Sequence, residues 1–239
     1  MTRFIFTAVL ILFMVSGDSL GDRNKKAVFI FEFEAILKTT GIRYVQNVST
    51  RGWLSIKHED NLTSPNVLPF ALKVHVTKVK DGKEHFTIEE GGLKGHIGSV
   101  KLANDGMSYL TETNLHTTPV HLVYSKQNEI LQITGTNKEY WAVLDPDNPL
   151  PNGIYDIEIP YEPHHRYGEY YEKYSIYAKT WFRIGHSGDR FLHFGSVSEG
   201  CLTVKAQEVH KDRWNEIYNL LITSRKGDSL SVGIVEIID

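Results

Sequence analysis

The sequence contains very little cysteine: Cys201 is the only one in 239 residues. A single cysteine cannot form a disulfide within the chain, so the fold has to be stabilised by its hydrophobic core. The thiol is therefore a candidate reactive group. The alternative is a structural cysteine that packs in the core, as free cysteines often do.

The sequence also lacks an excess of charge of one sign. Its net charge is −3 and its pI is near 6.4, so the bulk composition gives no indication of a nucleic-acid partner or of an anionic membrane surface as a partner. No metal-ligand spacing is visible among the histidines, and we expect no metal and no organic cofactor.

Long hydrophobic runs are lacking as well. The apolar run over residues 4–15 has about a dozen residues, which is short for a bilayer span. Arg3 precedes it and small residues follow, with cleavage plausible after Gly17 or Gly21. This pattern is typical of a signal peptide, predicted here over 1–21, and it indicates a periplasmic or secreted protein without a stable membrane span. An uncleaved anchor and a buried strand are the alternatives.

Most of the chain has strand-like patterns, and we predict a mainly β fold. Residues 22–118 contain alternating segments at 27–37 and 68–80, separated from later segments by Asp-Gly and Gly-Gly turns. They predict an N-terminal antiparallel, β-sandwich-like domain of unknown role. Residues 119–239 are predicted to form a second β-rich domain.

The second domain has clearer element signals. They indicate a hairpin over 120–135, strands over 154–159 and 230–238, and one C-terminal helix over 209–225. Residues 161–177 contain six tyrosines. We interpret this segment either as a loop that covers a cleft or as a half-exposed strand or helix. Within it, His164 and His165 are predicted to face solvent.

The stretch that contains Cys201 reads FLHFGSVSEGCLTV, residues 191–204. His193 lies eight residues before the thiol and is the candidate base; Ser198 lies three before it and could shape the loop or hydrogen-bond the histidine or substrate. An imidazole that removes the thiol proton would let the sulfur attack a carbonyl carbon. The backbone N–H groups of Gly200 and Cys201 are candidate donors to the resulting oxyanion.

Two other residues compete for roles in this chemistry. His186, fifteen residues before Cys201, is the alternative base, but its context HSGD indicates a hairpin turn rather than a strand end. Arg190 could bind a substrate carboxylate, and the alternative is a solvated arginine.

The motif resembles a known family. Ser198-Glu199-Gly200-Cys201, preceded by Leu192-His193-Phe194-Gly195, is similar to the signature of L,D-transpeptidases of the YkuD type. Upstream, residues 122–135, 140–143 and 151–155 are similar to that family's opening strands and its Pro-x-Gly turn. The resemblance covers residues 119–239. It implies a β-rich catalytic domain that acts on peptidoglycan stem peptides through a thioester acyl-enzyme.

The sequence departs from the family pattern at three points. Glu199 stands where histidine is frequent, Thr203 stands where arginine is common, and the interval from His193 to Cys201 is short. These departures indicate a divergent branch and leave the substrate open. A periplasmic or secreted cysteine acyltransferase is the leading interpretation. The alternatives are an L,D-carboxypeptidase or endopeptidase, acting as a cell-wall hydrolase or toxin, and a non-catalytic β-rich binding protein with a structural cysteine.

Overall fold

The computed structural model describes residues 40–49, 51–206 and 213–239. The predicted mainly β fold class is confirmed, since strands make up most of the regular structure in these residues. The predicted signal peptide and the predicted strand over 27–37 lie outside the described residues.

The first part of the described chain forms one antiparallel sheet and a separate strand pair. The six strands of the sheet are β1 (Gly41–Val45), β3 (Lys57–His58), β5 (Lys73–Lys80), β6 (Lys83–Ile88), β7 (Ile97–Lys101) and β8 (Leu110–Thr111). Their order is β3-β7-β6-β5-β1-β8, and every neighbouring pair is antiparallel. The separate pair consists of β2 (Trp53–Ser55) and β4 (Val67–Pro69). The predicted single strand over 68–80 is thus divided between β4 and β5, because Ala71 adopts a φ of 62° between them.

The second part of the chain forms an eight-stranded mixed sheet. Its strands are β9 (Val120–Ser125), β10 (Ile130–Ile133), β11 (Glu139–Leu144), β12 (Gly153–Glu158), β13 (Phe182–Arg183), β14 (Phe191–Gly195), β15 (Leu202–Lys205) and β16 (Ser231–Ile238). The order is β12-β16-β9-β10-β11-β15-β14-β13. Two neighbouring pairs are parallel, β16 with β9 and β14 with β15. The predicted hairpin is the pair β9–β10. The predicted domain boundary falls between β8 and β9, and the division into two domains stays a prediction.

Two helices lie among the described residues, α1 (His165–Gly168) and α2 (Arg213–Thr223), and a single 3-10 turn (Glu169–Tyr171) follows α1. The predicted C-terminal helix is confirmed by α2. The helix buries Trp214 against Phe182 and Phe194 of the second sheet, with ring centroids 6.2 Å apart in both pairs. None of the helices in the described part of the chain is long and apolar enough to cross a membrane.

A buried ion pair connects the end of α2 to the segment that follows β6. Arg225 donates from Nε and Nη2 to Glu90 Oε1 at 3.0 and 2.9 Å, and it also donates to the carbonyls of Ala71, Ile222 and Ser224. His116 Nε2 lies 3.2 Å from the same Glu90 oxygen. Burial by itself raises the pKa of Glu90, but the hydrogen bond to His116 and the charge of Arg225 outweigh it and lower the pKa to about 2.

We predict that Glu90→Gln destabilises the fold by about 3–5 kcal/mol at pH 7, because Arg225 would stay buried without its counter-charge. The folded pKa of Glu90 lies below its ordinary value of 4.5. The contribution of the ion pair is therefore complete above about pH 5 and is lost as the pH falls toward 2. Urea unfolding at pH 7 and pH 3 measures both effects, and the difference between wild type and variant should shrink at pH 3.

The matched control is Glu89→Gln, which changes the neighbouring carboxylate and should cost less than about 1 kcal/mol. A Glu90→Gln protein as stable as this control would contradict the prediction.

Candidate active site

A cavity of about 620 Å³ lies beside Cys201 in the second part of the chain. Strands β13 and β14, the loops next to them and the tyrosine-rich segment provide its walls. Its aromatic lining consists of Tyr161, Tyr167, Tyr170, Tyr171, Trp181 and Phe191. Cys201 and His193 also line it, together with charged residues. The structure therefore places four of the six tyrosines of residues 161–177 at the cavity that contains the thiol.

The pairing of β13, β14 and β15 explains which side chains reach the cavity. Arg183 lies opposite Phe191, and Leu192 lies opposite Leu202, so Phe191 is next to Cys201 across the parallel pair. Side chains alternate between the two faces of a sheet. Arg183, Phe191 and Cys201 consequently form one row on the cavity face, while Leu192 and Leu202 are fully buried.

The Cys201 thiol is only 6% exposed. Its Sγ lies 4.0 Å from the carbonyl oxygen of Asp189, a weak contact. Burial raises the pKa of the thiol, and this effect exceeds the opposing ones, a hydrogen bond from the Phe191 backbone and the positive charge of Arg190. The resting group is therefore a protonated thiol at neutral pH, and it needs a base to become a nucleophile.

His193 follows Phe191 by two residues on β14 and therefore lies on the same face of the sheet. It is paired with Thr203 of β15. Its Nδ1 lies 3.2 Å from the carbonyl oxygen of Phe194 and its Nε2 lies 3.0 Å from Thr203 Oγ1. A carbonyl only accepts, so Nδ1 carries the proton and Nε2 is an acceptor. Thr203 Oγ1 also lies 3.2 Å from the carbonyl oxygen of Val197, so Nε2 and that carbonyl compete for the one hydroxyl hydrogen. Burial lowers the pKa of His193 to about 4, which leaves the imidazole neutral at pH 7 and able to take up a proton.

The structure thus brings Cys201 and His193 to one cavity but does not join them by a hydrogen bond. Cys201 precedes Thr203, the residue paired with His193, by two positions, so Cys201 and His193 are diagonal neighbours. Such neighbours have Cα atoms on the order of 7–8 Å apart. In this conformation the ring nitrogens of His193 contact Phe194 and Thr203 rather than Sγ.

The loop before Cys201 is held by hydrogen bonds at both ends of Gly200. The Gly200 N–H donates to Asp145 Oδ2 at 2.8 Å, and its carbonyl accepts from Arg190 Nη1 at 3.1 Å. Ser198 Oγ donates to the carbonyl of Cys201. Arg190 also donates to the side chain and carbonyl of Asn148, so these hydrogen bonds hold the loop, and Arg190 is not among the residues that line the cavity.

His186 is not brought to the thiol. Its Nδ1 lies 2.9 Å from Glu158 and its Nε2 lies 2.8 Å from Asp156, both on β12, which bridges through Ile157 to Ile184 after β13. His186 does not line the cavity. Its position in the connection between β13 and β14 agrees with the predicted hairpin turn.

Several residues of the cavity were not expected from the sequence. Trp181 lies between two imidazoles, stacked on His193 at 4.1 Å and on His164 at 4.4 Å between ring centroids. His164 is therefore a wall of the cavity rather than a solvent-facing residue. The alternation of β15 would have placed Thr203 on the same face as Cys201, but no local pattern indicates the stack, because its rings come from three separate segments. Within the described ranges no three His, Cys, Asp or Glu side chains are grouped so that they could hold a metal ion.

Neither a scan against family models nor a search of curated proteins found a match. Among solved structures, the chain is similar to L,D-transpeptidase 1 of Mycobacterium tuberculosis, with 12% identity, coverage of 86% of this chain and 84% of that one, and a TM-score of 0.34. An L,D-transpeptidase of Mycobacterium tuberculosis H37Rv has 12% identity, coverage of 94% and 88%, and a TM-score of 0.32. L,D-transpeptidase 3 of Mycobacterium tuberculosis, in complex with a faropenem-derived adduct, has 10% identity, coverage of 94% and 88%, and a TM-score of 0.33. Because these TM-scores are below 0.5, we base the function on the residues of the cavity.

We predict that the native Cys201 thiol reacts with iodoacetamide at a rate that continues to rise above pH 9, since burial keeps it protonated at neutral pH. Glu199 also raises the pKa of this thiol through its negative charge. Glu199→Gln should therefore speed alkylation at pH 8 by about two- to threefold, the effect of a screened surface charge. Alkylation quenched at a series of times and analysed by mass spectrometry measures the pH dependence of the rate and the effect of Glu199→Gln.

Glu169→Gln is the control, because Glu169 is an exposed glutamate of the tyrosine-rich segment that does not line the cavity. Equal rates for the two variants would contradict the assigned charge effect. A thiol that reacts only after denaturation would support the structural-cysteine alternative.

Proposed function

We propose that the chain is a periplasmic or secreted cysteine acyltransferase that acts on peptidoglycan stem peptides, with Cys201 as nucleophile and His193 as base. The observation that carries this proposal is the placement of a protonated thiol and a neutral, buried imidazole on adjacent strands at one peptide-sized cavity. The resemblance of the motif around Cys201 to that of L,D-transpeptidases supplies the substrate class.

The reaction begins when the thiol proton passes to His193 and Sγ attacks the carbonyl carbon of a stem-peptide amide. The tetrahedral intermediate collapses to a thioester, and the amide nitrogen leaves with the proton that the imidazolium returns. An acceptor amine then attacks the thioester, a new amide forms, and the sulfur regains its proton. If water takes the place of the amine, the same thioester is hydrolysed.

Thr203 is the proposed proton relay between the base and the nucleophile. The lone pair of His193 Nε2 faces Thr203 Oγ1, and Thr203 shares the cavity face with Cys201 two residues away. The hydroxyl can relay the proton when its hydrogen turns from the Val197 carbonyl to Nε2 and the thiol turns from Asp189 toward Oγ1, so that Oγ1 gives one hydrogen to the imidazole and takes one from the sulfur. Rotation of the imidazole toward Sγ would transfer the proton directly.

The N–H groups of Cys201 and Gly200 are the proposed oxyanion donors. The Gly200 N–H is engaged by Asp145 at 2.8 Å, so it becomes available only when that carboxylate moves. Ser198 supports these donors by holding the carbonyl of Cys201. A donor of this kind contributes about 3 kcal/mol in other hydrolases.

Two carboxylates near the nucleophile favour transfer over hydrolysis. Asp189 and Glu199 both line the cavity at its Cys201 end. An acceptor amine that arrives as an ammonium ion would be attracted to these negative charges and would release a proton before it attacks.

The test is a digest of tetrapeptide-rich peptidoglycan with protein expressed from the full-length sequence, read by mass spectrometry. We expect cross-linked muropeptide dimers or exchange of the terminal amino acid with wild type, and background levels with Cys201→Ala. His193→Gln should reduce the rate by about 10²–10⁴-fold, the contribution of a general base. Shortened stems alone would indicate a hydrolase. Identical products from wild type and Cys201→Ala would overturn the proposal and favour a binding protein.

The role of Thr203 has its own test. Thr203→Val removes the hydroxyl that His193 Nε2 contacts, and we expect kcat to fall about tenfold with little change in KM, as for the loss of a hydrogen bond to a group that becomes charged. Thr203→Ser retains the hydroxyl and should restore the rate. Equal rates for the valine and serine variants would show that the hydroxyl does not take part.

A further inference from the structure

Arg183 brings a positive charge to the cavity that the acyl-transfer steps do not use. It belongs to β13, lines the cavity, and lies in the same row of side chains as Phe191 and Cys201. Its guanidinium carbon lies 5.6 Å from the ring centroid of Tyr161 and 5.8 Å from that of Phe191. These cation–π contacts fix the guanidinium against an aromatic wall.

Most of the hydrogen-bonding capacity of Arg183 is unused. A guanidinium has five N–H donors. Among the described residues only Tyr161 accepts one of them, from Nη2 at 3.3 Å, and the buried Nε has no partner. Glu158 approaches Nη1 only to 4.0 Å, and its other carboxylate oxygen is already bonded to His186. An arginine that is partly buried with open donors is suited to a planar anion.

Charged residues of both signs line the cavity. Arg166 from α1 is a second positive residue, Asp189 and Glu199 lie near Cys201, and Glu162 lies beside Tyr161. The charge of Arg183 reaches the cavity interior, since it adds to burial in lowering the pKa of His164 to about 4. Asp189 and Glu199 would repel the carboxylate of an acidic ligand from the Cys201 end of the cavity, and the open donors of Arg183 would attract it.

We propose that Arg183 binds a carboxylate of the acyl-donor peptide and so selects donors that carry one at a set distance from the attacked carbonyl. The identity of the ligand as a stem peptide rests on the proposed function. Arg183 is two strands away from Cys201, and strands in a sheet are about 4.8 Å apart, so their Cα atoms are separated by roughly 10 Å. An extended peptide advances about 3.3 Å per residue, and this separation corresponds to a carboxylate two to three residues from the attacked carbonyl.

The first experiment measures equilibrium binding by calorimetry in a Cys201→Ala background, where the ligand is not consumed. The two probes are a disaccharide-tetrapeptide with free stem carboxylates and the same muropeptide with those carboxylates amidated. Amidation should weaken binding about tenfold or more, the effect of losing a charged hydrogen bond. Arg183→Gln should weaken binding of the free acid by a similar factor and abolish the difference between the two probes. Arg183→Lys should retain part of the difference between the two probes.

Lys173→Gln is the matched control, since it removes an exposed positive charge of the tyrosine-rich segment that does not line the cavity, and it should leave the preference for the free acid in place. Thermal unfolding of each variant checks that it folds. An amidation effect of the same size in Arg183→Gln, or no amidation effect in any protein, would overturn the proposal.

A second experiment on the protein with Cys201 intact separates this inference from the proposed function. N-bromoacetyl-4-aminobutyrate and its carboxamide both alkylate a thiol with loss of bromide, and only the first carries a carboxylate. The rate of each reagent with Cys201 is divided by its rate with free cysteine. This relative rate should be at least about fivefold higher for the acid than for the amide. Arg183→Gln should remove this preference. The preference without any Cys201-dependent muropeptide products would refute the acyltransferase and leave the carboxylate site standing. Cys201-dependent muropeptide products without an Arg183-dependent preference would support the acyltransferase and refute the carboxylate site.

Discussion

The parallel pairing of β14 with β15 is the constraint on which the candidate site depends. Its register places His193 opposite Thr203 and Cys201 next to Phe191. Of these four residues, His193, Cys201 and Phe191 line the cavity. The opposite face fixes this register, because Leu192, Phe194 and Leu202 are fully buried there and α2 packs over Phe194. A slip of one residue would turn the thiol into the core and these apolar side chains into the cavity.

Burial determines the protonation of the two central groups. It raises the pKa of Cys201 and lowers that of His193, so both are uncharged at neutral pH. A thiolate–imidazolium pair would have to be stabilised in the same dry surroundings, which disfavour the charged form of each group. Charge separation is therefore tied to the attack on the substrate, when the developing oxyanion and the bound ligand change the electrostatics of the cavity.

The sequence predicts those parts of the site whose residues are close together in the chain. Ser198, Gly200 and Cys201 are consecutive or nearly so, and His193 is only eight residues away, so alternation and turn signals were enough to group them. The contacts that complete the site come from far along the chain: Asp145 on Gly200, and Trp181 and His164 beside His193. Such pairings depend on strand order, which local patterns do not encode. The division of residues 68–80 was missed for a related reason, since the left-handed turn at Ala71 replaces the glycine that usually indicates one.

The loop before the thiol is held by charged side chains rather than by packing. Asp145 binds the N–H of Gly200 and Arg190 binds its carbonyl, so both peptide groups that flank this residue have defined orientations. Gly200 adopts a φ of 78°, and an added Cβ would meet only Asn148 Nδ2 at 3.6 Å, an ordinary contact. Glycine is thus required here by backbone conformation and not by lack of space. Asp145 holds the Gly200 N–H through one side-chain hydrogen bond, whereas the pairing of β14 with β15 fixes the backbone of His193. Rotation of the Asp145 side chain would therefore free the N–H without breaking that pairing.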